Sequence, residues 1–265
     1  MPDIIKICIS RGRPGNVERM NELVCPDIWV VHTDSERKDY VAAGANNVIN
    51  TDFDYLYEQR QFALDLMRTE DSVYASFDDD VFKAGWLENA EYGFTKCEVP
   101  EDLDYIVYHI ADMMDSTEAY LGGCYHQDII RFMNHRVHVR QLVSAGFMVI
   151  RPQTPCNWTQ DPVLMYRDDQ DFSMQHIKTH GLVIRANYMM VAHRWYEGEG
   201  GLNESRTPMI EVDSAKALMS RWPGEFKRRP GSDRPGDIIM ARTGFRGETR
   251  AAAFASSLLN GEQGE

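Results

Sequence analysis

Between residues 4 and 77 the chain alternates strand-like runs with stretches of helical period, and few folds accept that alternation. Ile4 to Ile9 is rich in β-branched residues and reads as a buried strand, ended by Ser10-Arg-Gly-Arg-Pro-Gly. Val17 to Leu23 reads as a short helix, Ile28 to Val31 as a second strand running into His32-Thr-Asp-Ser-Glu, and Asn47 to Ile49 as a third. Between Leu56 and Met67, Phe62 and Leu66 stand four apart with Ala63 and Met67 beside them, the spacing of one helical face. Val73 to Phe77 is a fourth strand. Such alternation predicts an α/β fold with a mostly parallel sheet and helices on both faces. Ligands of such sheets sit beyond the carboxyl ends of the strands.

The second half is more mixed. Leu103 to Met114 has a helical pattern, Tyr120 to Cys124 and Val137 to Ile150 read as strands, and Gln170 to Thr179 as a helix stopped by Gly181. Leu182 to Ala192 is extended, Glu197 to Ser205 is a glycine-rich loop, and Val212 to Arg221 is a last helix ended by Trp222-Pro223-Gly224. We divide the chain into a main domain over 1–210 and a C-terminal helix with a basic, partly flexible extension over 211–265. The part from Lys227, rich in Arg, Gly and Pro and then in Ala and Ser, is expected to pack loosely, with its last residues disordered.

A hydrophobic content of 43% supplies a sizeable core. No apolar run approaches the ~20 residues a membrane span needs, and no signal-peptide pattern opens the chain. The five cysteines, Cys8, Cys25, Cys97, Cys124 and Cys156, form no CxxC pair, which argues against a zinc site. Scattered thiols suggest a reducing cytoplasm. A net charge of −13 argues against a general nucleic-acid binder, because phosphate contacts need clustered Lys and Arg. The charge is uneven, however. From Arg221 to Arg250, eight bases (Arg221, Lys227, Arg228, Arg229, Arg234, Arg242, Arg246, Arg250) face four acids (Glu225, Asp233, Asp237, Glu248), a net of +4 against −17 for the rest.

The residues that point to chemistry begin with Asp78, Asp79 and Asp80, bracketed by Phe77 and Val81-Phe82 at the end of the fourth strand. Adjacent carboxylates repel, and a hard divalent ion such as Mg²⁺ or Mn²⁺ relieves that repulsion. Residues two apart in an extended segment point the same way, so Asp78 and Asp80 can face one ion. A solvated acidic turn is the competing explanation, and the apolar brackets weigh against it. Asp168, Asp169 and Asp171 open the helix near Gln170. One or two acids there serve as N-cap and dipole partners; a third leaves a carboxylate for general-base work on an acceptor hydroxyl. His193, at the end of an extended segment and before the glycine-rich loop, is either structural or a metal ligand. Arg206, after the loop, is suited to a phosphate. The cysteines, Ser10 and the eight histidines show no triad context, which leaves a hydrolase unsupported.

The order of these parts resembles the GT-A glycosyltransferases, over roughly residues 3 to 206. That likeness implies a Rossmann-type mixed sheet, a nucleotide-sugar donor, and Mn²⁺ or Mg²⁺ on its diphosphate held by Asp78 and Asp80 with His193 as a late ligand. It implies Asp169 as the base, with Asp168 and Asp171 as its near neighbours. The segment Val30-Val-His-Thr-Asp-Ser-Glu36, with Asp34 and Glu36, falls where the nucleoside pocket of the family begins. A narrower likeness rests on Ile9-Ser-Arg-Gly-Arg13, Glu36 with Tyr40, Arg60-Gln61 before the triplet, and a Gly-Gly loop followed by Arg206 and a helix ending Arg221-Trp-Pro. These features are similar to phage TET-associated glycosyltransferases, which implies 5-hydroxymethylated pyrimidines in DNA as acceptor and a host cytoplasm as the setting. Ser10, Arg11, Arg13, Arg60 and Asp79 join the expected donor site. The basic stretch from Arg221 fits a DNA acceptor and the net charge does not. Arg136, His138 and Arg140 alternate along an expected strand and would line the same face, or simply an ordinary solvated one. Competing readings are a GT-A transferase for a small-molecule, glycan or protein acceptor, a metal-dependent nucleotidyltransferase, and a non-enzymatic binding module with a metal-stabilised loop.

Overall fold

The computed structural model describes residues 4–88, 93–194 and 207–241. The expectations placed on Arg206, on the glycine-rich loop and on Arg242, Arg246 and Arg250 lie outside the described residues.

Strands β1 (Ile5–Ile9), β2 (Ile28–Val31), β3 (Val48–Asn50) and β4 (Tyr74–Asp78) pair in parallel, in the order β3-β2-β1-β4. They alternate with α1 (Val17–Leu23), α2 (Asp34–Ala42) and α3 (Leu56–Glu70). Four residues of β1 are buried, as befits a strand covered on both faces. Only Tyr40 of α2 is buried, so that helix had no apolar period to read. It is set instead by its cap: the Thr33 side chain accepts from the Glu36 backbone N–H at 3.2 Å.

The second half extends the sheet to ten strands among the described residues. β5 (Val81–Leu87), β6 (Phe94–Lys96), β7 (Leu121–Tyr125), β8 (Val137–His138), β9 (Phe147–Ile150) and β10 (Ile184–His193) arrive in a mixed order. Next to β4 lies β9, antiparallel; then come β7, β10, β5 and β6, with β8 beside β10. The expected strand over Val137 to Ile150 is therefore two short strands. Residues 139–146 leave the sheet, and the chain turns at Ala145-Gly146 to re-enter it at Phe147. Arg136, His138 and Arg140 accordingly share no strand face, since β8 holds only Val137 and His138.

Two apolar layers cover the sheet. Cys8, Trp29, Val31 and Phe77 pack with Val17 and Met20 of α1, Tyr40 of α2 and Leu103, Ile106 and Ile110 of α4 (Pro100–Thr117). Ile7, Ile9, Val30 and Tyr74 pack with Ala63, Leu64 and Met67 of α3 and with Phe172, Met174 and Ile177 of α5 (Asp168–His180). Neighbours along β1 thus go to opposite layers, as the strand period requires. At Gly122 of β7 an added Cβ would lie 2.5 Å from an Ile110 methyl, so only glycine lets α4 approach.

The C-terminal part is less loose than expected. α6 (Pro208–Arg221) starts before residue 211, capped by Thr207, whose side chain accepts from the Ile210 N–H at 3.3 Å. β11 (Phe226–Arg228) and β12 (Ile238–Met240) form a separate two-stranded sheet. Ala215, Leu218, Phe226 and Ile238 are buried in the same cluster as Trp158 and Phe172. Two apolar anchors per hairpin suffice to dock a segment whose average composition reads as loop. No helix among the described residues is long and apolar enough to cross a membrane.

Candidate active site

The carboxyl ends of β1, β4 and β10, and the starts of β5 and β9, meet along one edge of the sheet. A cavity of about 170 Å³ opens there. Ser10, Arg11 and Arg13 line it after β1, the three aspartates after β4, His193 at the end of β10, and Asp168 and Asp169 from the start of α5. The mixed order brings antiparallel β9 in beside β4, so the Ser144–Gly146 turn also reaches this edge.

The acidic triplet divides its side chains. Asp79 turns inward and is 3% exposed. The Ser10 hydroxyl donates to it, and Arg13 Nη1 reaches its Oδ1 at 3.0 Å. Burial raises its pKa to about 6 against the pull of Arg13 and Ser10. Ser10 is also bonded to the Tyr40 hydroxyl, and that hydroxyl accepts the Arg13 backbone N–H at 2.9 Å. Asp78 and Asp80 border the cavity with Asp79, and Asp79 and Asp80 form the turn after β4. Arg60 Nη2 lies 2.8 and 3.1 Å from the two Asp78 oxygens, and its Nη1 donates to Asp168. Arg60 lines the cavity, yet both terminal nitrogens serve these carboxylates, and its Cζ stands 5.1 Å from the Trp158 ring centre. It braces the β4 edge against α5.

Asp80 differs. Its Oδ1 is buried and accepts no hydrogen bond among the described residues. Burial, with Asp78 and Asp79 adding repulsion, pushes its pKa up to about 8. His193 Nδ1 stands 3.8 Å from that same oxygen, and its Nε2 is 3.1 Å from Ser144 Oγ. The register slips between Ala192 and His193, where β5 carries one extra residue, a bulge that re-aims the imidazole. Gly146 makes room for it, since a Cβ there would lie 2.2 Å from the ring. Burial pulls the His193 pKa down to about 4, which keeps the ring a neutral donor of a lone pair. An orphaned carboxylate oxygen, a second carboxylate and a neutral imidazole form a donor set that fits Mg²⁺ or Mn²⁺.

Asp168 and Asp169 occupy the first turn of α5. Asp168 Oδ1 accepts the Asp169 N–H at 2.8 Å and Asp169 Oδ1 the Gln170 N–H at 2.7 Å, so the helix terminus supports both charges. Burial raises Asp168 to about 6 despite Arg60, and raises Asp169 despite Arg60 and Arg167. A raised carboxylate is a stronger base. Asp171 faces elsewhere: it is fully buried and takes Trp222 Nε1 at 2.8 Å, Gln175 Nε2 at 2.8 Å and Arg221 Nε at 2.9 Å. It ties α5 to α6 and does not line the cavity.

Two expected donor residues also stand apart from the cavity. Asp34 is exposed at the start of α2 and pairs with Lys38 at 2.7 Å. Glu36 accepts the His32 N–H at 3.2 Å and serves the helix start. Arg11 donates to the Asp54 carbonyl and lies 3.4 Å from His32 Nε2. Sequence reasoning missed Ser144, Gly146, Tyr166, Arg167 and Arg194, which line the cavity. The small-residue break at 144–146 was the signal that would have found the first two.

A parallel β3-β2-β1-β4 half and a mixed second half make this an α/β fold built on one mixed sheet, with an acidic triplet at the end of β4 and the candidate site at the carboxyl edge. No family model matches the chain, and no curated protein matches it. Among solved structures, S. aureus TarS 1–349 is similar at 10% identity over 82% of this chain and 66% of that chain, with a TM-score of 0.43. A CMP:2-keto-3-deoxy-manno-octonic acid synthetase complexed with CTP is similar at 12% identity over 83% and 99%, with a TM-score of 0.40. A197 from STIV is similar at 12% identity over 72% and 86%, with a TM-score of 0.37. The likeness is one of outline alone.

Proposed function

We propose that this chain is a metal-dependent glycosyltransferase that moves a sugar from a nucleotide-sugar to a hydroxyl acceptor. The observation that carries the reading is the buried Oδ1 of Asp80, without a hydrogen bond among the described residues, beside Asp78 and His193, in a cavity whose other wall is Asp168 and Asp169. Asp78, Asp80 and His193 would hold Mn²⁺ or Mg²⁺, which when bound supplies Lewis-acid neutralisation of the leaving diphosphate. Arg11 and Arg13 flank the same opening and favour an anionic donor. Asp79 keeps Ser10 and Arg13 in place. Asp169 takes the proton of the acceptor hydroxyl, helped by burial that raises its basicity, and Arg60 fixes the distance between donor and acceptor walls. A base on the wall opposite the donor favours inversion at the sugar carbon.

For the acceptor we favour a 5-hydroxymethylated pyrimidine in DNA. Support comes from the basic stretch that begins at Arg221, together with its attachment. Arg167, a cavity residue, donates to Glu211 Oε2 at 2.8 Å and to the Gly236 carbonyl at 2.9 Å, which joins α6 and the hairpin loop to the cavity wall. Lys227, Arg228 and Arg229 are exposed on or beside β11.

The test incubates the protein and Mn²⁺ with a panel of nucleotide-sugars, with and without hydroxymethylated duplex DNA. Nucleoside diphosphate released well above the slow background of hydrolysis only with that DNA is the expected result, abolished by chelator and by Asp80→Ala in a protein that stays folded. Transfer to a free sugar or peptide with modified DNA inert would leave the transferase and remove the DNA acceptor. Pyrophosphate as the product would replace the transferase with a nucleotidyltransferase.

A further inference from the structure

Away from the cavity, three side chains with soft or borderline donor atoms converge on the other half of α5. Cys156, His176 and His180 each offer one ligand atom, and these lie within 4.8 Å of one another. His176 and His180 are one helical turn apart on α5, while Cys156 comes from the preceding loop. By helical rise, His176 stands roughly 12 Å from Asp168 along the axis, so this cluster is separate from the aspartates.

The cluster is pre-arranged. Arg68 holds the cysteine loop through the carbonyls of Pro152, Thr154 and Cys156, at 3.0, 2.7 and 2.8 Å. The Tyr120 ring stacks on His180 at 4.0 Å. His176 Nδ1 is 2.9 Å from the Phe172 carbonyl. A carbonyl only accepts, so Nδ1 carries the hydrogen and Nε2 of the neutral ring is left with a bare lone pair. That Nε2 belongs to a fully buried side chain and has no hydrogen-bond partner among the described residues. A backbone carbonyl fixing one ring nitrogen so that the other faces a metal is the usual outer-shell arrangement of histidine ligands. His180 is partly exposed and gives the cluster a route to solvent.

We propose that Cys156, His176 and His180 form a zinc site. A thiolate and two imidazoles suit Zn²⁺ better than the oxygen-seeking Mg²⁺ or Mn²⁺ of the aspartate cavity. Tetrahedral zinc with Zn–S of ~2.3 Å and Zn–N of ~2.0–2.1 Å spaces its donors by roughly 3.3–3.6 Å, so closure needs about 1 Å of side-chain adjustment. Binding exchanges the Cys156 proton for the ion and releases one H⁺; both histidines enter as neutral ligands. The fourth position stays open to water or an external ligand. The sequence argument against zinc rested on the missing CxxC pair; here the ligands are twenty and four residues apart and meet only in the fold. The ion would clip the 152–158 loop to the helix that carries Asp168 and Asp169.

The test titrates Co²⁺ into the metal-free full-length chain in excess Mg²⁺, which occupies oxygen-rich sites. One equivalent giving a near-ultraviolet thiolate-to-cobalt charge-transfer band and intense tetrahedral visible absorption, displaced by Zn²⁺, is expected. The band should vanish in Cys156→Ser. His180→Asn, a change at a partly exposed position, should weaken zinc binding about tenfold or more, the scale on which even outer-shell changes act; it carries the test if Cys156→Ser does not fold. A folded wild-type protein with no thiolate band, a band that survives Cys156→Ser, or unchanged zinc affinity in His180→Asn overturns the site. None of these readouts depends on transferase activity.

Discussion

At the scale of single residues, burial decides what each carboxylate or imidazole of this protein can do. Asp169 lies on the cavity wall with its basicity raised by burial, whereas Asp171, two residues on, spends its oxygens on Trp222, Gln175 and Arg221. Asp169→Asn is therefore expected to lower turnover by about 10²–10⁴ with donor affinity little changed, since it removes an interaction of the transition state. Steady-state kinetics with the donor varied separates the two; a loss seen only as weaker donor binding would move Asp169 to the donor site. His176 gives a prediction in stability. Burial pulls its pKa from 6.5 to about 4, against the Phe172 carbonyl, which raises it. The folded value is the lower one, so in that window the unfolded chain binds more protons. The associated stability is present above about pH 6.5 and is lost as the pH falls toward 4, on the order of 3 kcal/mol in all. Urea midpoints of the metal-free protein should fall across this window, and His176→Gln should flatten the fall. Parallel profiles for the two proteins would refute the assignment.

Among the elements, the contact that matters most is the one Arg60 makes between α3, the end of β4 and the start of α5. It is a buried cation between two carboxylates, and its removal strands both. Arg60→Met is expected to destabilise the fold by about 3–5 kcal/mol. Arg60→Lys should recover only part of this, because an ammonium cannot present a fork to Asp78 and Asp168 together. Denaturant unfolding measures both, and a loss below about 1 kcal/mol for Arg60→Met would mean the bridge is dispensable. The aspartates at the α5 start answered two descriptions at once. They accept from backbone N–H groups of the first turn, as helix-terminal acids do, and Asp168 and Asp169 still line the cavity. A helix-terminal role and a site role are compatible because a carboxylate has two oxygens.

For the whole molecule, the uneven charge is the property to test. An acidic body carries a basic C-terminal stretch docked by Ala215, Leu218, Phe226 and Ile238. If this stretch makes Z phosphate contacts, DNA affinity falls with salt at a slope near −0.9Z. Reversing the charge of Lys227, Arg228 and Arg229 should weaken DNA binding and flatten the slope, while slow hydrolysis of the nucleotide-sugar persists. Arg229 also pairs with Asp237, at 3.0 Å, so the hairpin's folding must be checked by circular dichroism. An unchanged slope in the folded triple variant would remove this face from the acceptor site.

How much of this was legible beforehand follows from the range of the forces involved. Periodicity is local, so β1, α1, β2, α3 and β4 stood in the sequence nearly at their final bounds. The place of the triplet at the end of β4 was legible for the same reason, but the division of its side chains was not, because the strand ends at Asp78 and Asp79 and Asp80 form a turn. Segments set by caps or sheet edges, such as α2 and β6, lacked an apolar period and were not seen. Neither was the exit of residues 139–146 from the sheet, where Ser144, Ala145 and Gly146 interrupt a pattern that otherwise reads as strand. The partners of each charged group were not legible at all. That Arg60 braces Asp78 and Asp168, that Glu36 serves a helix start, and that Cys156 meets His176 and His180 depends on contacts between residues far apart in the chain. Sequence determined the strand ends where a site can form; only the packing of β9, β10 and α5 around them decided which side chains occupy it.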